Sequence, residues 1–160
     1  ENHARRPLTF LTPKIQPEDY LMIIGLGTDL CDATRVTKTL DRFGQRFVDR
    51  LFADSEQKAV ERRPQRRAAG YAMRFAAKEA CAKALGTGFR QGVFWRDMVL
   101  GSEKSGKPFL TLSGGALKRL QELTPDGMIA QINISLTDET PLAHAIVIIS
   151  CIPGNAGDHS

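Results

Sequence analysis

Arg74-Phe75-Ala76-Ala77-Lys78-Glu79-Ala80-Cys81-Ala82-Lys83-Ala84-Leu85-Gly86 is the stretch on which the reading of this chain turns. It is rich in Ala and free of Pro and β-branched residues, which predicts a stable helix. Gly86-Thr87-Gly88 follows as a helix stop and turn. Phe75 and Ala76 stand four and three positions before Glu79, on the same helical face. A carboxylate on an apolar face costs free energy unless it has a partner. Lys83, four residues on, can be that partner; so can a cation or a bound ligand.

Upstream, Met22-Ile23-Ile24-Gly25-Leu26-Gly27 reads as a buried strand that ends at Thr28-Asp29. Residues 1–21 carry Pro7, Pro13 and Pro17 without a sustained period and read as a flexible extension, which makes Met22 a candidate translation start. A helix is predicted over 33–51. Its apolar stripe is Val36, Leu40, Phe43, Phe47 and Leu51, and a basic stripe of Arg35, Lys38, Arg42, Arg46 and Arg50 runs beside it. Gly44 is a point where that helix can break. A short helix starts at Asp54 with Gln57 in the capping-box position and fades at Arg62-Arg63-Pro64, before the Ala-rich helix over 65–85.

Downstream, strands over 97–103 and 108–112 flank the turn Lys104-Ser105-Gly106-Lys107. Ser113 caps a helix that runs to about residue 123. Strands over 128–136 and 142–150 close the fold across Asp138-Glu139-Thr140-Pro141, and residues 153–160 read as a flexible tail. The order of helices and hairpins predicts one α+β domain over 22–152, not alternating βαβ units.

The chain of 160 residues has 22 Lys and Arg against 18 Asp and Glu, a mildly basic balance that suits an acidic partner or a phosphate-rich ligand. Aromatic residues do not interleave with the basic ones, which argues against nucleic acid. No apolar run approaches a membrane span. Three cysteines without metal spacing fit a reducing, cytoplasmic setting, with Cys81 a small core residue.

Two carboxylates, Asp29 and Glu79, stand where a hard cation can sit. Mg²⁺ takes one or two protein carboxylates and fills its shell with waters and phosphate oxygens. Lys78 and Lys83 can neutralise phosphates, and Gly86 and Gly88 let backbone approach a ligand closely. The other reading of the same residues is a turn Asp and a surface Glu–Lys pair. Likewise the basic stripe is either a docking face or a solvated one. Arg62, Arg63, Arg66 and Arg67 either hold a phosphate or keep a loop soluble.

Gly25-Leu26-Gly27-Thr28-Asp29-Leu30, with Phe75-Ala76-Ala77-Lys78-Glu79-Ala80 and Lys83-Ala84-Leu85-Gly86 following it, resembles the holo-acyl-carrier-protein synthases. These are the short-form 4'-phosphopantetheinyl transferases. The turn Gly106-Lys107-Pro108 and the closing strand pair add to the likeness, which spans about residues 22–150. The resemblance implies an antiparallel sheet packed on the long Ala-rich helix, and a homotrimer with active sites between subunits. It implies transfer of 4'-phosphopantetheine from coenzyme A to a serine of apo acyl carrier protein, releasing adenosine 3',5'-bisphosphate. Asp29 and Glu79 would hold Mg²⁺, and Lys83 would face the diphosphate. Lys78, Gly86 and Gly88 would lie beside coenzyme A, and Arg62, Arg63, Arg66 and Arg67 are candidates for its 3'-phosphate. Glu79, directly or through a water, is the candidate base. Arg35, Arg42 and Arg46 would meet the acidic carrier. One departure is Asp138, where many relatives carry His. His144, on the next strand, reads as a partly buried strand residue. The competing class is a basic binding module for an acidic protein, without catalysis.

Overall fold

The computed structural model describes residues 21–154; the expected extension and tail fall almost wholly outside the described residues. Strand β1 (Met22–Asp32) leads into helices α1 (Ala33–Phe43), α2 (Gln45–Leu51) and α3 (Asp54–Glu61). A 3₁₀ turn, Pro64–Arg66, opens the long helix α4 (Arg67–Ala84). A second 3₁₀ turn, Trp95–Asp97, precedes the hairpin β2 (Met98–Ser102) and β3 (Pro108–Leu112). Helix α5 (Gly114–Leu123) and strands β4 (Met128–Glu139) and β5 (Leu142–Pro153) complete the fold. The main sheet is antiparallel in the order β1-β5-β4, as an α+β fold requires.

Strand alternation sorts the sheet into two faces. Ala145, Val147 and Ile149 of β5 are buried, and Ile132, Ile134 and Leu136 of β4 pack beside them in the core around α4. The opposite face presents Leu26, Thr28 and Leu30 of β1, paired in register with Ile148, Ile146 and His144.

What sets the distance between β1 and α4 is the absence of side chains. A Cβ built on Gly25 would lie 2.2 Å from the Ala84 carbonyl oxygen, and one on Gly27 would lie 1.9 Å from that of Ala80. Only glycine admits backbone against backbone at this range. Ala76, Ala80 and Ala84 keep the facing stripe of α4 small and fully in the core.

Several expectations shift. Thr28 and Asp29 do not end the first strand: Asp29 pairs with Ala145, and the ladder continues to Asp32, which caps α1 by accepting from the Thr34 N–H at 2.7 Å. The helix expected over 33–51 breaks at Gly44, with φ at 53°; Phe43, the last residue before the break, is 50% exposed, and beyond it Val48 takes a place in the core. At α3 the capping carboxylate is Glu56, which accepts from the Ala53 N–H at 2.9 Å, while the Gln57 amide donates to the Phe52 carbonyl instead. Ser113 stands at the start of α5, but its side chain makes no cap. Pro153 still pairs with Met128, so the closing ladder outlasts the expected domain boundary. Cys81 is a core residue whose burial pushes its thiol up to about 12. Among the described residues no helix is long and apolar enough to cross a membrane.

Lys78 is the largest correction. It does not face solvent beside Glu79; its side chain is fully buried and paired with the equally buried Glu56 at 2.8 Å. Its ammonium also donates to the carbonyls of Trp95, at 2.9 Å, and Met98. The second Glu56 oxygen accepts from the Leu100 N–H at 3.2 Å. Burial lowers the Lys78 pKa, and Glu56 opposes that shift. The pair therefore ties α3, α4, the Trp95–Asp97 turn and β2 together.

Two outcomes follow from this packing. Gly27→Ala forces a strand and a helix apart at backbone atoms, so urea unfolding will show a loss of at least about 1–3 kcal/mol. Lys78→Met leaves Glu56 buried without its cation and will cost about 3–5 kcal/mol in the same assay. A Lys78→Met protein as stable as the parent would refute the role of this pair.

Candidate active site

The site grows from the crossing of β1 and α4. The two run antiparallel: Gly25 meets Ala84 and Gly27 meets Ala80. Two residues along a strand advance about 6.7 Å and four along a helix about 6 Å. By the same step the next inward position of β1, Asp29, falls level with Ala76, about one turn before Glu79, and side chains further along α4 lean back toward it.

Lys83 spans the gap. Its ammonium donates to the Asp29 carboxylate at 2.7 Å and to the Thr28 carbonyl at 2.9 Å. The partner expected within the helix is thus replaced by one across the fold. Glu79 is half-buried, and its pKa is raised, first by burial and then by the Asp29 carboxylate. Lys83 acts in the opposite sense. Two carboxylates share one ammonium in a partly dry place, so the pair is short of positive charge. No third His, Cys, Asp or Glu joins them into a closed ligand cluster among the described residues. An all-oxygen, two-carboxylate set with the rest of the shell open fits a hard cation that completes it with water and phosphate oxygens.

Asp29 opens onto two clefts. The larger, about 530 Å³, is lined by Thr28, Asp29, Lys83, Thr137, Glu139 and His144. In it His144 Nε2 and Thr28 Oγ1 are hydrogen-bonded at 2.8 Å. The smaller, about 230 Å³, runs from Asp29 to Arg35, floored by Val36, Phe47 and Phe75. Of the three arginines expected to meet a partner, Arg35 alone lines a cleft with Asp29. Arg42 and Arg46 are exposed on α1 and α2, with the Arg42 guanidinium 4.9 Å from the Phe43 ring centre.

Gly86 and Gly88 both take left-handed φ values, 75° and 55°, and the Gly88 N–H returns to the Ala82 carbonyl at 3.1 Å. The turn after α4 is thus folded back on the helix end. Lys78, buried on the other side of α4, is not among the groups gathered at Asp29. A separate cavity of about 390 Å³ is lined by Arg62, Arg63, Arg66 and Arg74. Asp138 lies at this cavity and pairs with Arg66. Arg67 is elsewhere, paired with Glu61 at 2.8 Å.

Sequence reading passed over Thr28, Trp95 and Arg74. Thr28 had a usable signal, its place between the glycines and Asp29. Trp95 and Arg74 reach their surroundings through contacts that leave no local pattern.

The ACPS family profile, described as the 4'-phosphopantetheinyl transferase superfamily, matches residues 25–139. A holo-[acyl-carrier-protein] synthase of Rhodopseudomonas palustris strain HaA2 is 58% identical over 135 residues, covering 82% of this chain and 96% of that one. Among solved structures, the holo-[acyl-carrier-protein] synthase of Neisseria meningitidis superimposes with a TM-score of 0.71 at 34% identity, over 80% of this chain and 98% of the other. That of Bacillus anthracis, in complex with CoA (3',5'-ADP), gives 0.63 at 29% identity, over 81% and 97%. With most of its length matched by the family profile, and by relatives at well over half identity, the chain belongs to the 4'-phosphopantetheinyl transferase superfamily.

Proposed function

We propose that the protein transfers 4'-phosphopantetheine from coenzyme A to a serine of apo acyl carrier protein, giving the holo carrier and adenosine 3',5'-bisphosphate, with Mg²⁺ held by Asp29 and Glu79. The observation that carries this reading is the meeting of Asp29, Glu79 and Lys83 at the β1–α4 crossing, in a family whose named relatives are holo-[acyl-carrier-protein] synthases. Nothing in the fold favours a non-catalytic basic module over it.

In the reaction the serine oxygen bonds to the β-phosphorus of coenzyme A, and the bond from that phosphorus to the bridging oxygen breaks. The bridging oxygen leaves on the adenosine side. Mg²⁺ bound at the carboxylate pair supplies neutralisation of charge on the diphosphate oxygens. Lys83 adds an ammonium beside the same oxygens, which strengthens as charge grows there. Glu79, with its pKa already raised by burial and by Asp29, is the acceptor assigned to the serine proton. Gly86 and Gly88 lie beside the ligand with no Cβ to hold it off.

The two clefts suit two substrates. Arg35 at the rim of the smaller one, with Arg42 and Arg46 beyond it, suits the acidic carrier and mainly speeds encounter and sets orientation. The cavity of Arg62, Arg63, Arg66 and Arg74 is assigned to the 3'-phosphate of coenzyme A, since guanidinium forks match phosphate oxygens. Leu26 at 66% and Leu30 at 58% exposure leave an apolar face on the sheet, which supports a homotrimer packed through its sheets. The cytoplasm is the assigned setting, on the three free cysteines that are all buried.

The test is to incubate the protein with apo carrier, coenzyme A and Mg²⁺ and to weigh the carrier. A gain of one phosphopantetheine, abolished by EDTA and by Asp29→Ala or Glu79→Ala, is expected; unaltered turnover in either variant rules out the metal assignment. Arg35→Glu is expected to raise the KM for the carrier on the order of tenfold, the scale of a charge-pair loss, while leaving that for coenzyme A unchanged. Equal losses for both substrates would refute the docking assignment.

A further inference from the structure

Strand β4 sends Ile132, Ile134 and Leu136 to the core, and the next position in that alternating row is Asp138. Its register partner on β5, Ala143, is buried. A carboxylate at the end of an apolar row is costly unless a cation meets it. That cation is Arg66, the last residue of the Pro64–Arg66 turn, whose Nη2 donates to Asp138 Oδ2. The pair joins residues 72 apart in sequence, and both line the cavity of Arg62, Arg63, Arg66 and Arg74.

The two members of the pair are not equally held. Asp138 is fixed by the β4–β5 ladder. The Arg66 side chain is half-exposed on a short 3₁₀ turn, and a long side chain left free spreads over many rotamers. An ionised carboxylate accepts hydrogen bonds and donates none, so Asp138 has nothing to offer an anion directly. It acts through the guanidinium. One carboxylate against four guanidinium groups leaves the cavity cationic. A guanidinium carries several N–H donors in a planar fork, so the donors that Asp138 does not engage remain for a ligand. Arg74 is the second part of the argument. Its Nη1 donates to the Gly70 carbonyl at 3.1 Å, within its own helix, while its Nε is buried and has no acceptor among the described residues. Buried donors are seldom left so without a reason. Arg74 is thus placed by α4, and Arg66 needs a holder from outside its turn.

We propose that Asp138 is a positioning residue for Arg66: it fixes the guanidinium at the cavity, so that the remaining N–H groups of Arg66 and those of Arg74 serve one terminal phosphate. The proposal rests on the reading of this cavity as the site of the 3'-phosphate of coenzyme A. It makes the end of β4 a determinant of substrate choice, without contact between Asp138 and the substrate.

The experiment compares coenzyme A with 3'-dephospho-coenzyme A as donors to the apo carrier, in the full chain with Mg²⁺, and takes the ratio of their kcat/KM values. A general structural loss moves both donors together and cancels in that ratio. The parent is expected to prefer coenzyme A. Asp138→Ala is expected to cut the preference about fivefold, the scale of a partly exposed charge pair, through KM and not kcat. Arg66→Met is expected to cut it on the order of tenfold, as loss of a hydrogen bond to a charged group does. Asp138→Ala added to Arg66→Met is expected to change the ratio no further. A parent without preference, or an Arg66→Met protein that keeps it, defeats the reading of the cavity. If Arg66→Met loses the preference while Asp138→Ala keeps or enlarges it, the role of Asp138 alone is overturned. The same holds if Asp138→Ala cuts the ratio as much in the Arg66→Met chain as in the parent, because the carboxylate would then act without the guanidinium.

Discussion

The contact on which the rest depends is backbone against backbone, where β1 crosses α4. Gly25 and Gly27 lie so close to the carbonyls of Ala84 and Ala80 that no side chain fits between. This contact is not a strong bond of any kind; it is a distance that small residues permit. Once the distance is set, the pitch of strand and helix does the rest, since two residues on one match about four on the other. Asp29 then stands level with Ala76, one turn before Glu79 and within reach of the Lys83 side chain. The Gly and Ala residues of the two motifs are therefore as much part of the chemistry as the charged ones, because they decide how far apart the carboxylates are.

Lys78 and Glu79 show how one helix serves stability and function with adjacent residues. Successive residues on a helix point about 100° apart. Lys78 therefore enters the core to meet Glu56, while Glu79 looks to the Asp29 side. The first is compensated: its three ammonium hydrogens meet one carboxylate and two carbonyls. The second is not: its burial and the Asp29 charge both work against ionisation, and Lys83 only partly offsets them. Unfavourable electrostatics of this kind are typical where binding a ligand, not folding, is what relieves them.

Much of this was legible from local patterns, and what was not has a physical cause. Helix α4, the β2–β3 hairpin and the paired strands β4 and β5 show in propensity, turn residues and alternation, all of which act within a few residues. Asp29 and Glu79 were legible as a candidate pair through the likeness of their flanking motifs, since nothing local links residues fifty apart. Lys78 was not legible as a core residue. Lysine in an Ala-rich run ordinarily reads as solvent-facing, and its partner Glu56 lies on another helix. The early end assigned to β1 has the same origin: an Asp after two glycines looks like a turn until β5 supplies a ladder for it. The Gly44 break was readable, but the burial of Val48 beyond it was not, because the helical phase after the break decides which residue is buried.

The two clefts at Asp29 bear on how the proposed chemistry could be in line. Displacement at phosphorus brings the nucleophile in on one side and sends the leaving group out on the other, with the attacking and departing oxygens roughly collinear. A single deep pocket makes that hard, since both groups must then share one mouth. Here β1 passes between two openings, and Asp29 and Leu30 line both. The side with Arg35, Phe47 and Phe75 is basic at the rim and apolar below, as the proposed docking of an acidic protein would need. The side with Lys83 and Thr137 has polar groups converging from β1, α4 and β4, as an elongated phosphate ester would need. Asp29 at the partition would then sit beside the phosphorus itself, which is where a carboxylate-held cation is of most use. On this view the strand is a wall between nucleophile and leaving group, and the glycines that draw it against α4 also keep that wall thin.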